Sequence, residues 1–227
     1  MQRYVAPSSL GLWLVPLFCL LMAGVAWGYQ HRPYKDMVAH YTTSVVDRSS
    51  TQRQNIRMAA QRLDGAMVGP GERFSFNGLV GPRTVERGFV PANAFMEGQL
   101  TRSIGGGVCQ VSSTLYAAVQ ETSLKIVERS AHHTVVESVP PGRDAAVWYG
   151  KADLVWENTF SSPVKIRAIA DDTKLRIELW GHAESAEATA LRFLYRYGAQ
   201  RTQRVVAVYR RSEGRNVLLS TDVYQVQ

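Results

Sequence analysis

The chain reads as α+β: an N-terminal membrane helix, then helices packed on a mostly antiparallel sheet. Three observations predict it. From Tyr4 to Tyr29 no side chain is charged. Two later stretches repeat apolar residues at helical spacing: Ile56, Ala59, Ala60 and Leu63, and then Val108, Val111, Leu115 and Ala118. Most of the remaining apolar residues alternate with polar ones, as in half-buried strands, and these runs come late in the chain.

The elements follow in order. Leu10 to Trp27 is almost wholly apolar, with Arg3 and the amino terminus as its positive flank. That length suits a signal anchor or a signal peptide over residues 1–30, and Gly24-Val25-Ala26 places small residues where a signal peptidase reads. Residues 31–50 form a polar connector with a β-like stretch, Val38 to Val46. Ser49 or Ser50 caps the first helix, and Asp64-Gly65 ends it. Gly69-Pro70-Gly71 turns into a short strand holding Phe74, Phe76 and Leu79, and Gly81-Pro82 turns again. Phe89 to Arg102 reads as two strands around Glu97-Gly98. The second helix runs from about Val108 to Ser123. Strands follow at Ile126-Val127, Thr134 to Val139 and Ala145 to Trp156, then as a hairpin around Asp171-Asp172. Residues 51–185 make the main domain. Residues 186–227 make a basic β hairpin, with strands at Val205 to Tyr209 and Val217 to Tyr224 that turn at Glu213-Gly214.

Composition narrows the function. With 227 residues, 45% hydrophobic and 20% charged, this is ordinary globular material. Of the two cysteines, Cys19 falls in the apolar run, so Cys109 has no intrachain partner outside it; a disulfide framework and a cysteine-rich zinc site are excluded. The net charge is +7, and from Leu191 onward seven arginines face only Glu213 and Asp222. On an exported protein such a surface suits anionic headgroups or acidic wall polymers, and export argues against nucleic acid. A solvated hairpin with no partner accounts for the same charges.

The chemistry centres on Gly105-Gly106-Gly107-Val108-Cys109-Gln110. If Val108 opens a helix, Cys109 lies in its first turn, where unpaired N–H groups and the helix dipole favour thiolate. The three glycines allow unusual backbone angles and close approach of a substrate. The N–H groups of that turn, with the Gln110 side chain, are candidates for binding an oxyanion. Cys109, Ser112, Ser113 and Tyr116 fall on one helix face. Ser112 and Ser113 are read both as substrate-facing and as hydrogen-bonded structural residues. Cys109 itself can be a small buried hydrophobe instead. A thiolate nucleophile needs a base and an orienting group. His132 or His133, followed by Asp144, supplies both. A cysteine at a helix start with histidine and aspartate further on is the arrangement of papain-like and transglutaminase-like hydrolases. Asp144 can also pair with Arg143 or cap a turn. There is no metal-ligand cluster, no cofactor motif and no P-loop.

Four blocks carry a resemblance. Pro70 to Asn77, Val80 to Thr84, Gly105 to Tyr116 and Gly142 to Ala145 resemble the VanW family, from about Asn55 to Gly181. The resemblance implies a bacterial envelope protein associated by name with vancomycin resistance. It places the family histidine at His132. Two functions are then expected. One is a cysteine-dependent hydrolase or transferase acting on peptidoglycan peptides, with Cys109, His132 and Asp144 as its machinery and Gly105, Gly106, Gly107, Gln110, Ser112 and Ser113 around the substrate. The other is a non-catalytic wall- or ligand-binding module.

Overall fold

The computed structural model describes residues 34–96, 99–182, 190–197, 202–212 and 214–226, together with Cys19 and Met22. Tyr34–Gln227 is one compact unit. Its central sheet joins β1 (Asp36–Ser44), β9 (Lys174–Gly181), β8 (Val164–Ala170) and β2 (Met67–Val68), in that order and all antiparallel. The alternation in the sequence explains this sheet. Val164, Ile166, Leu175, Ile177 and Leu179 all point inward and are buried. Asp171 closes the β8–β9 turn, its Oδ1 accepting from the N–H groups of Thr173 and Lys174.

Two helices pack here. Helix α1 (Ser50–Leu63) begins with a reciprocal capping box between Ser49 and Gln52, and Asp64 caps its end. Asp64 Oδ1 also accepts from the Ala168 N–H at 2.9 Å, tying the helix end to β8. The other is α3 (Val108–Gln120); between them comes α2 (Phe76–Val80), a single short turn. Every residue of α3 except Cys109 is buried. A helix enclosed all round must satisfy its polar groups internally. Most are satisfied: Thr114 Oγ1 donates to Gln110 O at 2.7 Å, Thr114 meets Thr43 of β1 at 2.9 Å, and Gln120 Nε2 donates to Gly142 O at 2.9 Å, while Gln120 Oε1 is buried without a donor among the described residues.

Three smaller sheets surround this core. One joins β3 (Arg73–Ser75), β7 (Val155–Glu157) and β6 (Lys125–Glu128), with Phe74 stacked on buried Trp156. The second is the hairpin of β4 (Pro91–Met96) and β5 (Gln99–Ile104). The third joins β10 (Ala190–Tyr197), β11 (Gln203–Ser212) and β12 (Arg215–Gln225).

This corrects the expected fold class. Helices packed on one mostly antiparallel sheet, with the papain/transglutaminase likeness attached, are not what forms. Among the described residues the chain is mostly β: twelve strands in four small sheets against three helices, one of only five residues. The strands divide among separate sheets: β4–β5 and β10–β12 close as local hairpins, whereas β1, β2 and β3 pair with β9, β8 and β7 from much later in the chain, so no single layer extends through the molecule. The expected N-terminal membrane helix lies outside the described residues, and no described helix is long and apolar enough to cross a membrane.

Smaller departures have similar causes. Phe76 and Leu79 belong to a helical turn, not a strand, because the Ser75 side chain caps it by accepting from the Gly78 N–H. Thr134 to Val139 forms no strand; only Thr134 makes an isolated bridge, to Gln225. The basic C-terminal region folds as three strands, not two. The turn residues Glu97, Gly98 and Glu213 lie outside the described residues.

Candidate functional site

The glycine turn sets the floor of the site. Gly105 and Gly107 hold φ of 86° and 100°, which side-chain-bearing residues rarely adopt. Gly106 is required by space instead: a Cβ there would lie 2.5 Å from Asn93 O and 2.6 Å from Ala92 O. Buried Asn55 of α1 clamps this turn to β4, donating to Gly106 O and Val90 O and accepting from the Val90 N–H, each at 2.9 Å.

Cys109 follows in the first turn of α3 and is partly exposed. Its thiol donates to Val147 O at 3.5 Å. Two clefts open on it. One, of about 240 Å³, is lined by Arg48, Gln52, Gln110, His132 and Glu137 among others; the second, of about 340 Å³, by Arg83, Val147, Trp148 and Tyr149. Ala94, Gly105, Gly106 and Cys109 belong to both, so the thiol sits where the two clefts meet.

His132 and Asp144 come together with the thiol. His132 Nδ1 is 2.7 Å from Asp144 Oδ2, which also accepts from the His132 backbone N–H at 2.7 Å. The ring is thereby fixed, leaving Nε2 for the thiol. His133 is exposed. Asp144 is fully buried. A buried carboxylate must be paired to remain charged. Arg129 Nη2 donates to its Oδ1 at 2.9 Å and Arg129 Nε to its backbone carbonyl at 2.7 Å. The Tyr224 hydroxyl donates to Oδ1 at 2.5 Å while accepting from the Gly142 N–H at 2.8 Å. Arg129 also pairs with Asp222 of β12 and lies over the Tyr116 ring, 4.9 Å from its centroid. Arg143 pairs with Glu121, not with Asp144.

Charge completes the arrangement. Burial disfavours a thiolate at Cys109, but the hydrogen bond and positive charge of His132, with the Arg83 guanidinium behind, outweigh it and hold the thiol below its ordinary range. Burial likewise disfavours the imidazolium, yet Asp144 and Cys109 raise His132 to about 9. Asp144 is held below the usual carboxylate range: burial opposes this, and His132 and Arg129 overcome it. These contacts favour the thiolate–imidazolium form of the pair over the neutral one.

The other anticipated residues are nearby in different roles. Ser112 Oγ donates to Ala145 O at 2.7 Å, and Ser113 Oγ accepts from the Ala145 N–H at 3.0 Å. Both are wholly buried and bolt α3 to the segment carrying Asp144. Gln110 borders the first cleft, but its amide is engaged: Nε2 donates to Ser44 O at 2.7 Å, and Oε1 accepts from Arg48 Nε at 2.8 Å.

Sequence reading passed over Asn55, Arg83, Arg129, Asp222 and Tyr224. Arg83 holds Asn77 Oδ1 at 2.6 Å through Nη1, and its Nη2 is buried with no acceptor among the described residues. Arg83 lies in the Val80 to Thr84 block; nothing local marks Arg129, Asp222 or Tyr224. Among the described residues no group of three His, Cys, Asp or Glu is placed to hold a metal.

The family described as "VanW like protein" matches residues 51–180. The chain is similar to "Uncharacterized protein YoaR" of Bacillus subtilis (strain 168), 41% identical over 131 residues, covering 58% of this chain and 43% of that protein. It is also similar to "Vancomycin B-type resistance protein VanW" of Enterococcus faecalis (strain ATCC 700802 / V583), 34% identical over 128 residues, covering 53% of this chain and 46% of that protein. The matches thus cover less than half the length of these relatives. No solved structure matches.

Proposed function

Since the chain belongs to the VanW-like family, we propose that it is a cell-envelope cysteine hydrolase or transferase acting on amide bonds of peptidoglycan peptides. The single observation that carries this reading is the sequence of contacts from the cleft inward: a thiol at a junction of two clefts, an imidazole beside it, and a buried carboxylate 2.7 Å from that imidazole's far nitrogen. That is the order of parts a thiolate nucleophile needs. A link to vancomycin resistance is supported by the printed name of the enterococcal relative, and the peptide substrate is part of the proposal. An extracytoplasmic setting is supported by the uncharged N-terminal run, and contact with anionic wall polymers by the basic charge of residues 191–227.

In this reading the Cys109 thiolate attacks the amide carbonyl carbon. The carbonyl oxygen takes up the negative charge against the Cys109 N–H. This amide is in the first helical turn, whereas its neighbours Val108 and Gln110 donate to Gly105 O and Gly107 O. The His132 imidazolium then protonates the leaving amine as the C–N bond breaks, giving a thioester. Water, deprotonated by His132, releases the acid; an acceptor amine in its place gives transfer.

The test is alkylation of the full chain by iodoacetamide at pH 7. We expect Cys109 to react at least about tenfold faster than a free thiol, as an ionised cysteine does, with the advantage lost in His132→Ala. A wild-type rate at or below that of free thiol defeats the reading. The substrate is tested separately by incubating isolated stem peptides and following mass changes. Turnover that survives in Cys109→Ala removes the cysteine from the reaction.

A further inference from the structure

We infer that the C-terminal sheet β10–β12 is part of the machinery: Asp222 and Tyr224 of β12 are positioning residues that set the orientation and charge of the Asp144–His132 pair. This rests on the nucleophilic reading of Cys109 given above.

His132 stands in a stretch with no strand or helix of its own, between Arg129 and Val139. What fixes it comes from β12. Gln225 N donates to His133 O at 2.9 Å, and Thr134 bridges Gln225 in parallel. One and three residues before Gln225, the Tyr224 and Asp222 side chains reach the carboxylate and guanidinium behind the imidazole. Tyr224 is wholly buried and Asp222 6% exposed, so neither is a surface residue that merely passes by. All these contacts come from outside residues 51–180, the span that defines the family match.

The two side chains act in opposite senses. Arg129 is shared by Asp144 and Asp222. With Asp222 present, its positive charge is divided, and Asp144 keeps more of its negative charge for His132. Removing the Asp222 charge commits Arg129 to Asp144 and weakens its hold on an imidazolium. Tyr224, a neutral donor, spends part of the Asp144 charge on its own hydrogen bond. Burial and the neighbouring Asp144 charge push its hydroxyl pKa up, so it stays protonated. Removing that hydroxyl leaves Asp144 a stronger acceptor for His132, though less firmly placed. The other charged groups around the pair are Cys109 and Arg83 on the cleft side, Arg48 and Glu137 along the first cleft, and Arg210 of β11 near Tyr116.

The test is the pH profile of Cys109 alkylation in the full chain, from pH 4 to 10, in wild type, Asp222→Asn and Tyr224→Phe, with thermal unfolding to confirm folding. In Asp222→Asn the low-pH limb, where the ion pair forms, should move up by about one pH unit. In Tyr224→Phe it should move down by roughly half a unit, while turnover on any peptide substrate falls several-fold with little change in KM. A merely structural role would lower stability and leave both limbs in place. Limbs that coincide with wild type, or that shift in the same direction, overturn the inference while leaving the nucleophile intact. A wild type without a low-pH limb removes the nucleophile, and the inference falls with it. If Asp222→Asn does not fold, the Tyr224→Phe limb decides alone.

Discussion

The two sides of the site are held by different means. Cys109 is placed by its own neighbourhood: a glycine turn, a helix start three residues after Gly105, and a buried stripe along that helix. His132 is placed by remote side chains, in a segment without regular structure, through a carboxylate that is itself held by Arg129 and Tyr224. The cysteine side is thus backbone architecture, and the histidine side is a polar network. A network of buried charges is more sensitive to loss of one member than a helix is to loss of one contact. The two sides should therefore fail differently.

The largest effect is expected from Asp144→Asn. It takes one of two carboxylates from the buried Arg129, leaving Asp222, and removes the charged partner of His132, costing about 3–5 kcal/mol in denaturant unfolding. His132 should fall from about 9 toward its ordinary 6.5 or below, while Cys109 stays alkylatable at high pH because α3 is untouched. Equal damage to both sides would break the distinction. Next comes Gly106→Ala on the cysteine side. The added methyl meets two carbonyl oxygens of β4 that cannot swing away, so a loss of about 3 kcal/mol is expected, read as a lower unfolding midpoint.

A third experiment sharpens the contrast through pH. A raised His132 contributes stability that is full below 6.5 and is lost as pH rises toward about 9. A depressed Cys109 does the reverse, gaining stability with pH until the ordinary thiol value of 9.0. In wild type the two slopes oppose each other through this window. Cys109→Ala removes one slope together with the thiol's share in raising His132; Asp144 still raises the imidazole, so stability should fall with rising pH above 6.5 more steeply than in wild type, by up to about 1 kcal/mol per unit. Smallest is Asp172→Asn, which breaks exposed ion pairs with Arg53 and Arg57 far from either side. It should change stability by less than about 0.5 kcal/mol and leave alkylation unaltered.

The same division explains what could be read from sequence. The helix bearing Cys109, its capped predecessor and the β8–β9 hairpin all show local periodicity and turn chemistry, and all form nearly where that pattern places them. His132 and Asp144 were within reach because they follow the cysteine closely in blocks with a recognisable pattern. The fold class was not, because periodicity identifies a strand without saying whether it joins a large sheet or closes a small one. Tyr224 and Asp222 were invisible for a related reason. Their surroundings read as an ordinary basic hairpin, and only tertiary folding shows that a tyrosine 80 positions away meets Asp144. Gln110 misled in the other direction: beside a cysteine it suggests an oxyanion donor, whereas its amide is occupied by Ser44 and Arg48.

The hydrogen bond from Tyr224 to Asp144 also orders events in time. Ribosomes deliver residues 109, 132 and 144 before residue 224, and long-range pairings close later than local ones. The cysteine helix can form while His132 still lacks support from β12. A newly made chain would therefore carry its thiol without the ordered imidazole beside it until the last sheet docks.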